Sequence, residues 1–473
     1  MSQKYTVVSL FSGAGGMDLG LYMEGGFEFL TANDVLLPPA HTYAENFGHK
    51  IVSAGEFNGE IGGQHPVYIV GDVSSVDFSR ISGSADVVVG GPPCQDFSIV
   101  RGPEKERMGI KVKRGKLYAH FVRALMYLQP KVFVFENVPG LLSANNGTAF
   151  ETIIEDFSHL NLRWSEIKEI VGNSIQKTAE NYEILFAEVV DSSELGVPQK
   201  RKRLIIVGAR EDVLPRDHIQ KAWLRSDVKN ILSGSDSLFK KYPLTPLEVF
   251  EGKPLSELQN EYREVMEEYR DVAATVRTEK AEKWVRSVWE NLTFNAVEDY
   301  LFVNGAARPD YRELEAAFEA HGELLEELGY MGAKIEGMNF PDRTNEVSRE
   351  KEDVLQRLRM IPPDENHEFV RGTQWEVEGR GMSLIYRRIH PLKPSYTVVA
   401  YGGGGTWGYH YRRNRGKLTN RERARLQTFP DTFLFKGTSS EVRAQIGEAV
   451  PPLLGKKIAR AVKLILEADQ SSG

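Results

Sequence analysis

Short apolar runs rich in valine, isoleucine and phenylalanine alternate with helix-period stretches from residue 5 to about residue 210, and the alternation then stops. Strands are predicted at 6–11, 28–33, 67–70, 86–89, 132–135, 183–189 and 204–207. Strands separated by helical patterns are the signature of an α/β fold, a parallel sheet with helices on its faces. From 211 to about 382 the pattern is mixed, with helices predicted at 256–277 and 311–329. Beyond 387 motif-like density returns, and 441–469 reads as helical, interrupted at Val450-Pro451-Pro452. The middle therefore reads as a module inserted between two parts that belong together.

At 473 residues the chain calls for two or three domains of about 100 to 200 residues each. Its one cysteine, Cys94, excludes a disulfide framework and a cysteine-based zinc cluster. No apolar run approaches a membrane span of about 18 residues and the start lacks a signal-peptide pattern, so a soluble cytoplasmic protein is expected. The net charge of -7 disfavours nucleic acid only superficially, because basic residues gather at 101–116, 200–203 and 412–425 while acidic ones concentrate at 248–327. Each basic run alone is ordinarily a solvated face. Together they suggest a polyanion-binding cleft on part of an otherwise acidic chain.

Candidate chemistry lies at the ends of the predicted strands, where open α/β sheets bind ligands. LFSGAGGMDLG follows the first strand and opens a helix; Gly13 and Gly15 permit a tight turn and close approach of a ligand to backbone N–H groups. Asp34, at the end of the second strand, could accept from ribose hydroxyls, and Asp72, after the third, from an exocyclic adenine amine, with Phe11 facing the base. Either acid could instead be an ordinary cap. Cys94 follows the apolar run 85–89 within GGPPCQDFS, where glycines and prolines build a loop rather than a core. Glu136, at the end of the apolar strand in VFVFENVPG, is a carboxyl placed where a raised pKa would suit proton donation. Arg201 and Arg203 in QKRKR alternate, which would aim both to one side of the sheet edge.

LFSGAGG, GGPPCQDFS, ENV, QKRKR and RERARLQTFPD, in this order, closely resemble the DNA cytosine-5 methyltransferases, over roughly 5–208 and 387–461. The resemblance implies a Rossmann-like S-adenosylmethionine-dependent catalytic domain with a smaller inserted target-recognition domain. Its segments would be 1–210 catalytic, 211–439 recognition, with an acidic helical insert at about 256–330 facing solvent and the RERARLQTFPD segment organising the smaller domain, and 440–473 completing the catalytic part. By the same resemblance S-adenosylmethionine, without a metal, is held by Phe11, Gly13, Gly15, Asp34, Asp72, Pro92, Leu117 and Val450. Cys94 is the nucleophile, Glu136 grips cytosine at N3 and N4, and Arg203 contacts O2; Arg201, aimed to the same side by the alternation, is a further catalytic candidate. Gln95 and Ser98 lie near the target nucleotide on a loop whose Lys113, Arg114 and Lys116 close over DNA. Arg412 and Arg413 in the third basic run are further DNA-binding candidates, and the Gly402–Gly405 run could follow a phosphate strand.

Glu448 in QIGEAVPPLLG departs from the family's pattern, which has asparagine there, and puts that position's usual hydrogen bonding in doubt. The partner implied is double-stranded DNA, bound by a monomer that shares its site with a restriction endonuclease without binding that enzyme. The alternative is a tRNA cytosine-5 methyltransferase, but that branch carries a further cysteine which this chain lacks.

Overall fold

The structure is a computed structural model describing residues 4–55, 66–81, 84–93, 116–172, 178–306, 308–377, 384–402 and 405–470. It divides into two compact units. The first comprises Met1–Asp191, Lys202–Ser235 and Pro452–Gly473, the second Ser192–Arg201 and Asp236–Pro451.

The first unit holds one eight-stranded sheet of β1 (Tyr5–Leu10), β2 (Phe27–Asp34), β3 (Lys50–Ser53), β4 (Val67–Val70), β5 (Val87–Gly90), β6 (Val132–Asn137), β7 (Tyr182–Asp191) and β8 (Lys202–Arg210), in the order β3-β4-β2-β1-β5-β6-β8-β7. The seven predicted strands are all present. The edge strand β3 was not predicted, because KIVS is short and polar at both ends. The sheet is also not wholly parallel: β8 runs antiparallel to both β6 and β7. Strands β7 and β8 are separated by only the short 192–201 segment, and a parallel return needs a crossover of a dozen or more residues.

Helices α1 (Gly16–Glu24), α2 (Leu37–Phe47), α3 (Lys116–Leu128), α4 (Thr148–Ser158), α5 (Leu160–Val171) and α6 (His218–Ser233) complete this unit with the helix Pro452–Gln470. The core is aromatic: Phe121, Phe133, Phe135 and Phe157 are fully buried, the Phe133 and Phe157 rings 4.5 Å apart. Helix α1 lies against Pro452–Gln470 so closely that a Cβ on Gly20 would stand 2.3 Å from the Gly455 carbonyl carbon. Only glycine fits there.

The second unit is built of helices, most of them short, and loops braced by buried polar groups. The expectation that 256–330 is a helical insert facing solvent is corrected here. Tyr262, Tyr269 and Tyr300 have no exposed surface, and the helix Tyr311–Glu327 turns His321 fully inward. There its Nδ1 meets Glu248 Oε1 at 2.8 Å and its Nε2 the Tyr242 carbonyl at 3.0 Å. Acidic residues occupy the outer face of helices whose inner face is aromatic. The 256–277 stretch is also broken, into Gln259–Glu267 and Val272–Thr275. The compact units thus divide at other residues than 210 and 439: α6 packs with the sheet, while 192–201 and 440–451 cluster with the middle of the chain.

RERARL forms the helix Asn420–Leu426, opened by a Thr419–Glu422 capping box. Arg421 and Arg425 are wholly buried. Arg421 pairs with Asp342 at 2.7 Å, and Arg425 donates to the carbonyls of Val249 at 2.6 Å and Ala333 at 2.8 Å. Arg388, also wholly buried, donates to the carbonyls of Leu358, His410, Arg412 and Arg413. These arginines satisfy backbone acceptors that would otherwise be buried unpaired.

Candidate active site

The glycine-rich turn between β1 and α1 is shaped by left-handed backbone at Phe11 (φ 56°), Gly13 (φ 52°) and Gly15 (φ 87°). A Cβ on Gly15 would collide with the Phe47 and Tyr43 rings at 2.5 and 2.9 Å, whereas above Gly13 nothing lies within 4 Å. The first glycine leaves space and the second permits packing. Asp34, half-buried at the end of β2, accepts from Gly13 N–H at 3.1 Å and from Leu36 N–H at 3.1 Å. Burial pushes its carboxyl up, against the pull of those two N–H groups. Phe11 and Leu117 are both partly buried against the core of this unit. A backbone turn with open space, an adjacent carboxylate and apolar side chains fits a nucleoside-bearing cofactor, so Phe11, Gly13, Asp34 and Leu117 remain its candidates.

Asp72 is in the position of a cap: its Oδ1 accepts from Ser74 N–H at 2.8 Å and starts a short 3-10 turn. Val450 is buried in the second unit.

The other half of the site forms at the ends of β5 and β6. Glu136 Oε1 pairs with Arg203 Nε at 2.8 Å, with both side chains largely buried at 12% and 14% exposure. A Cβ on Gly91 would stand 2.6 Å from Glu136 Oε2, so the second glycine of GGPP makes room for this carboxylate. Asn137 Nδ2 donates to the Pro92 carbonyl at 3.0 Å, clamping the segment that leads into Cys94. This positioning role of Asn137 went unassigned in the sequence, although an amide directly after an apolar strand is a usable signal.

Arg201 corrects the expectation of a paired catalytic arginine. It is 1% exposed within the second unit and donates to the carbonyls of Val398 at 3.3 Å and Gly447 at 2.8 Å. The two arginines do not share a strand, because β8 begins only at Lys202, so alternation does not aim them to one side. Arg412 and Arg413 are likewise committed inside the protein, Arg412 to Glu268 at 3.1 Å and Arg413 to Asp271 and the Glu268 carbonyl. Cys94, Gln95, Ser98, Lys113, Arg114, Gly403 and Gly404 lie outside the described residues, as does the side chain of Lys116. Glu448 ends the helix Ser439–Glu448 and accepts from the Tyr401 hydroxyl, whose pKa it raises.

Beneath the glycine turn lies a network that sequence reasoning missed. Asp18, 1% exposed, accepts from Ser9 Oγ and Tyr43 Oη at 2.9 Å each, and burial lifts its carboxyl to about 7. Tyr68 Oη donates to the Gly13 carbonyl at 2.9 Å. The signal was an acid in the first turn of a helix within an otherwise apolar motif.

The profile of C-5 cytosine-specific DNA methylases matches residues 5–464. The chain belongs to this family. A protein of Aeropyrum pernix named DNA (cytosine-5-)-methyltransferase M.ApeKI is 56% identical over 467 residues, covering 98% of this chain and 99% of its own. A type II methyltransferase of Neisseria gonorrhoeae, M.NgoFVII, is 31% identical, covering 98% of this chain and 87% of its own. Among solved structures, an E. coli protein described as a DNA modification methyltransferase encoded within a prophage superposes with a TM-score of 0.53 at 20% identity, over 98% of this chain and all of its own. That likeness concerns the fold. Among the described residues of this methylase no helix is long and apolar enough to cross a membrane.

Proposed function

We propose that this chain methylates C5 of cytosine at a specific sequence in double-stranded DNA, as the modification component of a type II restriction-modification system. The observation that carries the reading is the Glu136–Arg203 pair, seated against Gly91 and directly beside the clamped Pro92 that leads to Cys94. S-adenosylmethionine, held by Phe11, Gly13, Asp34 and Leu117, supplies an electrophilic methyl group on a sulfonium when bound.

Cytosine C5 is too weak a nucleophile to act unaided. The Cys94 thiolate adds to C6, forming a carbon–sulfur bond and moving electron density to C5. Glu136 holds N3 and the N4 amine, stabilising the charge that develops in the ring, and Arg203 fixes the carboxylate's orientation. After transfer, loss of the C5 proton lets the C6–S bond break and returns the thiolate. The base must leave the stacked duplex to reach these groups, at a cost of a few kcal/mol.

The second unit reads the DNA sequence. Lys113, Arg114 and Lys116 contact phosphates, and the enzyme works as a cytoplasmic monomer whose cognate endonuclease shares the site. With duplex carrying 5-fluorocytosine at the target, where fluorine cannot leave as a proton, a cofactor-dependent, denaturant-stable adduct is expected on Cys94. Cys94→Ser should form none and show no turnover; a variant that kept near-native turnover would remove the covalent mechanism.

A further inference from the structure

A cavity of about 240 Å³ opens within the second unit, apart from every residue assigned above. Trp284, Val288, Phe302 and Val303 form an apolar wall, and Glu365, His390 and Lys393 stand among its polar lining. The polar groups have definite hydrogen-bonding capacity. His390 is 5% exposed, and its Nδ1 accepts from Leu392 N–H at 3.0 Å. The ring is therefore the tautomer that carries its proton on Nε2. Burial, with Lys393 nearby, pulls its pKa down to about 3, so it stays neutral. Nε2–H has no protein partner among the described residues and is open to solvent, so it is free to donate to an acceptor on a ligand in the cavity.

Glu365 offers the complement. Its Oε2 pairs with Lys280 at 2.9 Å, which leaves Oε1 to accept, and burial raises its pKa. Lys393 Nζ spends one of its three protons on Asp364 Oδ2 at 2.7 Å and keeps others to donate. Asp364 itself sits in left-handed backbone, φ 68°, a strained conformation of the kind found where a site must be held in shape.

The cavity thus presents two donors, His390 Nε2–H and Lys393 Nζ–H, one acceptor, Glu365 Oε1, and an aromatic wall. A planar ligand with one amino donor beside two acceptors satisfies all three. We propose that this cavity is a second nucleobase site, selective for the cytosine-type edge of amine, ring nitrogen and carbonyl, and separate from the reacting site at Glu136. The inference does not depend on the methylation reading, since all its residues lie in the second unit. Its ligand would be either a free nucleoside or a base in a single-stranded segment.

The test is saturation-transfer NMR and calorimetry on the full chain with 2′-deoxycytidine, thymidine, and single-stranded (dC)6. Thymidine has a carbonyl where deoxycytidine has the amine, so deoxycytidine should bind about tenfold more tightly or better, the equivalent of one hydrogen bond. Glu365→Gln should abolish that preference, and Phe302→Ala, a change at a side chain 46% exposed, should weaken both nucleosides without lowering the melting temperature. Glu136→Gln should leave the preference intact, which separates this cavity from the reacting site. Tighter binding of (dC)6 than of the nucleoside would identify the ligand as a strand base, and the reverse a free nucleoside. Equal binding of the two nucleosides, no binding, or loss of binding in Glu136→Gln but not in Phe302→Ala would overturn the proposal. Should Glu365→Gln fail to fold, Phe302→Ala and Glu136→Gln decide it.

Discussion

Two arginine-bearing regions look alike in the sequence and behave oppositely in the structure. At the sheet end Arg203 is set against a single carboxylate, Glu136, beside the lead-in to the cysteine. In the second unit Arg388, Arg421 and Arg425 are wholly buried and all donate to backbone carbonyls, Arg421 and Arg425 pairing also with Asp342 and Asp431. One arginine holds a candidate catalytic carboxylate; the others tie loops together by side-chain hydrogen bonds. A run of positive charge therefore marks a phosphate-binding surface only when its partners are not already in the chain.

The contrast can be broken at its functional end first. Glu136→Gln should lower the methyl-transfer rate by about 10²–10⁴-fold, with little change in DNA affinity or melting temperature. Equal losses in rate and affinity, measured by single turnover and by equilibrium titration, would reduce Glu136 to a positioning group. At the other end, Arg388→Met leaves buried carbonyls unpaired and should cost roughly 3 kcal/mol or more in chemical denaturation. The rate per folded molecule should hold; a specific loss of chemistry at unchanged stability would contradict the bracing role.

A titration sharpens the same comparison. Both ring nitrogens of His321 face acceptors, so the ring is held as an imidazolium; burial opposes this, but the Glu248 carboxylate outweighs it and the pKa is raised. A raised histidine pKa stabilises the fold fully below the unfolded value of about 6.5 and loses that contribution as pH rises through the folded value. Denaturation of the second unit should therefore become easier across that interval, and His321→Gln should flatten the dependence. An unchanged slope in the variant would mean that the ring is neutral.

The smallest effect is expected at Arg412. Arg412→Ala should cost about 0.2–1 kcal/mol and leave the salt dependence of DNA binding unaltered. Replacing Lys113, Arg114 and Lys116 together should flatten that dependence by about 0.9 in slope for each phosphate no longer neutralised. A flattened slope for Arg412→Ala would return this residue to the DNA interface.

Most of the sheet was legible because β5 and β6 are buried on both faces and read as continuous apolar runs. Glu136, Arg203 and the glycine turn were legible because their motifs sit at strand ends. What the sequence hid was partnership. Arg201 and Arg203 differ by two positions, yet a strand boundary between them sends one into a carbonyl cage. The acidic residues of 256–330 concealed an inward face of Tyr262, Tyr269, Trp284 and Tyr300, since aromatic residues scattered among glutamates blur the helical period. Asp18 and Asn137 were visible as letters, but their roles rest on Tyr43 and Pro92, which no local pattern links to them.

The close approach of α1 to the helix Pro452–Gln470 at Gly20 has a consequence for how the protein is made. Helix α1, directly after the glycine turn, leaves the ribosome early, while the helix that backs it follows the whole of the second unit. At synthesis rates of about 5–20 residues per second, α1 waits for some tens of seconds with its Gly20 face uncovered. The packing of α1 behind the glycine turn can therefore be completed only after the second unit has been translated.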